Sequence, residues 1–104
     1  MPEITPTGSL AAKCVTADTL ISSRPCLLYG AIMTVSADGA YCDIYEGQDA
    51  DSGQLLFRIK TTANATRSVK ASPPIYCSRG IYVDVGDDVT YLSILFAPLP
   101  LSQQ

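Results

Sequence analysis

The chain has 104 residues, 47% of them hydrophobic and 16% charged, with a formal net charge of −3. That length sets one domain with a modest core, and the apolar fraction excludes a disordered chain. The mildly acidic balance excludes a general nucleic-acid binder, which needs a basic surface, and so little charge leaves surface to be covered by partners.

Taken in chain order, the first eight residues, "MPEITPTG", hold two prolines and a glycine and read as an extended N-terminal arm carrying Ile4. A period of two then takes over. "SLAAKCVT" (9–16) and "TLISSR" (19–24) are the first two strands, and "CLLYGAIMTVS" (26–36) is long and mostly apolar. Such a strand is central and buried on both faces, or bent at Gly30. Asp38-Gly39 predicts a hairpin between "MTVS" and "AYCDIYE". In the second of these, Tyr41, Asp43 and Tyr45 share one face, and Cys42 and Ile44 the other.

The acidic stretch 46–53 follows, and then "QLLFRIK" (54–60), whose Leu55, Phe57 and Ile59 are expected to face the core. Residues 61–74 are polar, with a short edge strand expected around Arg67 to Lys70, where basic side chains discourage stray pairing. "IYCS" (75–78), "GIYVDV" (80–85) and "VTYLSILF" (89–96) complete the pattern. The last is apolar on both faces, as a central strand or a partner-binding strand would be. The tail 97–104, "APLPLSQQ", carries Leu99 and Leu101. Its prolines, like those of the first arm, bar it from a central strand. Seven or eight short strands separated by turns predict an all-β fold, a single β-sandwich or jelly roll over 9–96 with extended arms at both ends.

The chemistry-bearing residues point away from catalysis. Asp49-x-Asp51-x-Gly53 begins like a calcium loop, but glycine stands at the third ligand position and no closing glutamate follows. The stretch therefore reads as a turn between two strands. Asp43 with Glu46, or Asp84 with Asp88, would need a cleft to hydrolyse a glycoside, and a chain this short has little room for one. There is no histidine, which removes serine–histidine and cysteine–histidine sites within one chain and the zinc patterns.

The four cysteines, Cys14, Cys26, Cys42 and Cys77, form no C-x-x-C pair. The opening residues have neither a basic start nor an apolar run of about seven residues, so reduced, packed thiols are expected. No apolar stretch reaches the ~18 residues of a membrane span. Tyr41 and Tyr45, flanking Asp43, leave a carbohydrate- or receptor-binding surface as the alternative to an interaction protein. Residues 38–51 carry acids and no base, whereas residues 52–83 carry bases and no acid. Opposite patches of this kind can set register between neighbouring copies. The candidate interface residues are Ile4, Leu99 and Leu101 on the arms, with Arg67, Lys70, Asp49 and Asp51 as the charged partners.

Tyr45-Glu46-Gly47, Pro73-Pro74, Gly80-Ile81-Tyr82-Val83 and Val89-Thr90 follow one another across roughly residues 26–96. In that order the chain resembles small virion proteins of tailed bacteriophages. The resemblance implies a non-enzymatic all-β structural subunit, most of all a capsid decoration or cement protein, or else a head-to-tail or fibre component. It implies assembly in the host cytoplasm and a place in the virion. The implied partners are the major capsid protein or other virion subunits, and further copies of the chain in a homo-oligomer or symmetric array. It implies no nucleic acid, membrane, cofactor or active-site residue.

Overall fold

The computed structural model describes residues 10–99. Among these residues it has eight strands and no helix. The strands are β1 (Ala11–Val15), β2 (Thr19–Ser22), β3 (Cys26–Val35), β4 (Tyr41–Glu46), β5 (Gln54–Lys60), β6 (Thr66–Cys77), β7 (Ile81–Val85) and β8 (Val89–Pro98). They form two four-stranded antiparallel sheets, β1-β8-β3-β6 and β2-β7-β4-β5. These are called below the β3 sheet and the β4 sheet. The fold is the β-sandwich expected from the period of two.

Alternation along each strand sends one set of side chains into the space between the sheets. Leu28, Ala31, Met33 and Val35 of β3 and Leu92, Ile94 and Phe96 of β8 are buried there. So are Cys42 and Ile44 of β4, Ile59 of β5, and Ile81 and Val83 of β7, with Ile21 of β2 at the margin. Branched aliphatic residues dominate this core, as suits pleated surfaces packed face to face.

Four local expectations are corrected. Asp38-Gly39 does not close a hairpin: β3 and β4 lie in different sheets. Gly39 takes the left-handed φ of 79°, but its N–H donates to the Thr61 carbonyl at 3.0 Å. Asp38 Oδ1 accepts from the Ala63 N–H at 2.7 Å. The turn is thus pinned to the β5–β6 connection and carries the chain across the sandwich.

In β5, Ile59 is buried but Leu55 is 48% exposed, and Leu56 packs on the core instead. The β4–β5 register shifts between Ile44, opposite Phe57, and Tyr45, opposite Leu55. The extra residue is Leu56, and a bulge of this kind reverses the facing of everything before it.

The stretches around 67–70 and 75–78 are not separate strands. They are the two ends of the twelve-residue β6, joined through a wide bulge in which residues 71–74 oppose Tyr29. Pro73 and Pro74 lie in that bulge on an edge strand, where a missing N–H breaks no ladder. Gly30 belongs to the same irregularity. A Cβ there would clash with the Val69 carbonyl oxygen, so no larger residue fits without moving β6.

Finally, β8 passes the expected boundary at 96. Ala97 pairs with Leu27, and Pro98 pairs with Cys26 at the strand end. Pro98 lies past the Ala11–Phe96 pair that begins β1, so on that side no strand needs its missing N–H.

Candidate assembly surface

The two sandwich faces that look away from the core differ in chemistry. On the β3 sheet, the residues between the buried ones are Leu27, Tyr29, Ile32 and Thr34 of β3, and Tyr91, Ser93 and Leu95 of β8. On the edge strand, Tyr76 stands opposite Leu27, Lys70 opposite Gly30, Ser68 opposite Ile32, and Thr66 opposite Thr34. Tyr76 is 58% exposed and Tyr91 43%. Lys70 is the charged residue at these positions. A shallow cleft of about 290 Å³ opens in the middle, lined by Leu10, Tyr29, Gly30, Ile32, Lys70 and Leu95. Its floor exists because Gly30 has no side chain. The result is an apolar surface with hydroxyl groups at its borders, the composition that favours protein contact over water.

The outer face of the β4 sheet is ionic, and its central pair, Arg58 with Asp43, is engaged within the chain. Arg58, Asp43 and Asp84 stand opposite one another across β5, β4 and β7. Arg58 Nε donates to Asp43 Oδ1 at 2.7 Å, and Nη2 donates to Oδ2 at 2.9 Å. The guanidinium also lies 4.6 Å from the centre of the Tyr41 ring. This fork and the ring above it leave Asp43 only 4% exposed, although it sits on an outward position. Such a charge is tolerated because both carboxylate oxygens are satisfied.

Asp84 has no such cation of its own. Burial, the Asp18 charge and a hydrogen bond with the Asp18 carboxyl push its pKa above the usual carboxylate range. Asp18 in turn accepts from the Val85 N–H at 2.7 Å. Tyr45 and Tyr82 lie side by side, with ring centres 6.4 Å apart and planes tilted by 49°. Burial raises the pKa of both phenols.

The acidic stretch 46–53 is the connection between antiparallel β4 and β5. Arg79, on the β6–β7 turn, clamps it. Arg79 Nη1 donates to the Ser52 carbonyl at 3.1 Å, while its Nη2 donates to the Glu46 carbonyl and to Oε1, both at 3.3 Å. Glu46 Oε2 also accepts from the Arg79 N–H at 3.1 Å and from the Ser78 hydroxyl at 3.2 Å. The Arg79 hydrogen bonds hold the Glu46 carboxyl below its ordinary pKa. Asp49 Oδ1 accepts from the Ser52 N–H at 2.7 Å and its hydroxyl at 2.8 Å, which lowers its pKa in turn. Asp49, the first of the residues that resembled calcium ligands, therefore holds the loop shut through its carboxylate. Among the described residues no three acidic, cysteine or histidine side chains gather as a metal site.

The charged residues singled out in the sequence do not meet. Asp49 and Asp51 lie in the β4–β5 loop, at one end of the sandwich. Arg67 lies at the other end, beside Gly39 and Lys60, and Lys70 borders the cleft on the β3 sheet. The segregation of acids and bases along the chain is in part consumed internally, because it places Asp43 beside Arg58 and Glu46 beside Arg79. Leu99 is half-buried, its N–H donating to the Pro25 carbonyl at 3.3 Å. Ile4 and Leu101 lie outside the described residues. The face residues Tyr29, Ile32, Leu95 and Tyr76 were missed as individuals. Their signal was present in β3 and β8, two adjacent strands apolar on both faces.

Comparison with family models, curated proteins and solved structures finds no match.

Proposed function

We propose that the protein is a non-enzymatic structural subunit that joins a symmetric assembly through the outer face of its β3 sheet. The observation that carries the reading is the pairing of that apolar face with an opposite face that is ionic and whose Arg58–Asp43 pair is already bound within the chain. Burying Leu27, Tyr29, Ile32, Leu95, Tyr76 and Tyr91 against a neighbour removes apolar area from water and strands no charge except Lys70 at its border. A capsid decoration or cement protein of a tailed-phage virion is the specific form of this reading, resting on the resemblance of the strand-and-turn order. Sugar binding is disfavoured by the tyrosines of the β4 sheet. Arg58 covers Tyr41, and Tyr45 and Tyr82 are tilted against each other rather than laid out as a flat platform.

Sedimentation of the purified protein tests the proposal. At roughly 100 μM, well above the dissociation constants of specific interfaces, the mass should be a multiple of the 11.1 kDa chain. Ile32→Asp and Leu95→Asp should each give a folded monomer, because an unpaired carboxylate is costly in an apolar contact. A wild-type chain that stays monomeric, or face variants that assemble as the wild type does, would overturn the reading.

A further inference from the structure

Cys26 and Cys77 stand directly opposite each other on neighbouring antiparallel strands. Both are fully buried, at 0% exposure, and both are free thiols. Directly opposite residues in such a ladder have Cα atoms about 4.5 to 5.5 Å apart, within the roughly 4.4 to 6.8 Å that a disulfide spans. The Cys77 S–H has two acceptors in reach, the Ile75 carbonyl at 3.7 Å and the Cys26 sulfur. Cys42, in contrast, is buried in the other sheet, on β4, and Cys14 is exposed on the edge strand β1.

The place of the pair in the sheet gives it a use. The last stretch of β6 is separated from the rest of the strand by the bulge at 71–74. It is held to β3 by three register pairs, Cys26 with Cys77, Leu27 with Tyr76, and Leu28 with Ile75. A strand end held by so few pairs, on the edge of a sheet, opens more readily than the core strands. That opening is how a reagent reaches two thiols that are covered in the closed state.

We infer that Cys26 and Cys77 form a redox-closable staple, which a small disulfide such as oxidised glutathione converts to a cross-strand bridge fixing the end of β6 to β3. The Cys26 thiolate attacks one sulfur of the small disulfide and expels the first thiol. The Cys77 thiolate then attacks the Cys26 sulfur of the mixed disulfide and expels the second. Two protein thiols are oxidised, one small disulfide is reduced to two thiols, and the two protons leave on those thiols. The hydrogen bond between the two thiols lowers the pKa of Cys26 and raises that of Cys77, and burial raises Cys77 further. Cys26 is thus the attacking sulfur in the first step. The bridge would fix Tyr76, which lies between Ile75 and Cys77 on the opposite face of the same strand end. The inference stands whether or not that face binds a partner.

The test uses the full chain, incubated with oxidised glutathione after the exposed Cys14 has been alkylated in the folded state. Free thiols counted after denaturation should fall by two. Tryptic digestion should link the peptide ending at Arg79 to the one containing Cys26, with fragmentation placing the bridge at Cys26 and not Cys42. Cys77→Ala should lose no thiol pair, whereas Cys42→Ala should lose it as the wild type does. The oxidised chain should melt roughly 10 °C or more above the reduced one, given the long loop that is closed, and dithiothreitol should reverse the shift. If Cys77→Ala folds poorly, the peptide link in the otherwise unchanged chain still decides. Thiols that persist through oxidation, or a bridge at Cys42, would overturn the inference.

Discussion

Asp43 and Asp84 occupy equivalent outward positions on adjacent strands, yet their electrostatics are opposite. Asp43 shares a two-pronged hydrogen bond with Arg58, and Asp84 faces the Asp18 carboxyl with Asp43 beyond it. The folded state raises the pKa of Asp84, so it binds a proton more tightly than the unfolded chain does. Its contribution to stability is complete below the unfolded pKa, near 3.8. It is lost as pH rises through the folded value. Glu46 runs the other way: Arg79 lowers its pKa, and its contribution disappears as pH falls through the folded value. Asp84→Asn should therefore be more stable than the wild type at neutral pH, with the advantage shrinking towards pH 4. Urea midpoints measured across that range check this, and a difference independent of pH would show that Asp84 feels no such repulsion.

At the scale of the element, the bulge in β5 is the most direct test of the packing. Ile59→Ala should cost about 2 to 4 kcal/mol, the usual loss for a fully buried aliphatic side chain. Leu55→Ala should cost less than about 0.5 to 1 kcal/mol, since the side chain is already half in water. Equal losses in chemical denaturation would mean that the strand keeps strict alternation and the bulge is absent. The strands themselves were legible because the period of two survives in any β-sandwich. Their irregularities were not. Leu55, Leu56 and Phe57 are all apolar, so composition does not say which one is skipped. Asp38-Gly39 has the dipeptide of a tight hairpin, but the same backbone serves an arch between sheets. What decides is a pair of hydrogen bonds to residues 61 and 63, more than twenty positions away. Pro73 and Pro74 read as the end of a loop because a proline pair in a strand requires a bulge, which no local pattern announces. The candidate surface was legible in outline from β3 and β8. The individual side chains were not, because the Gly30 bulge decides which residues of β3 look outward.

At the scale of the whole molecule, the sandwich separates two tasks by sheet. The β4 sheet spends its charged residues on itself, through Arg58, Glu46 and Arg79. The β3 sheet keeps its charge low and its apolar area outward. The edge strands bordering that area are guarded unequally. β6 carries Arg67, Lys70 and a proline-bearing bulge, each of which discourages an added strand, whereas β1, Ala11–Val15, is short and carries Lys13. Lateral growth of the sheet is thus discouraged more strongly on the β6 side than on the β1 side.

The position of β8 has a consequence for synthesis. It lies between β1 and β3, although it is made after both. Until residues 89–98 have left the ribosome, the β3 sheet lacks a central strand. Leu28, Met33 and Val35 then have no β8 neighbours against which to complete the core. Long-range closure of this kind is slow, and the unfinished chain offers bare strand edges to chaperones or to other nascent copies. A chain stopped at Asp88 should accordingly show no cooperative melting and should expose apolar surface to a hydrophobic dye, whereas one stopped after Leu99 should melt in a single transition. Folding of this sandwich therefore waits on its last element: the strand that completes it is the last of the eight to leave the exit tunnel.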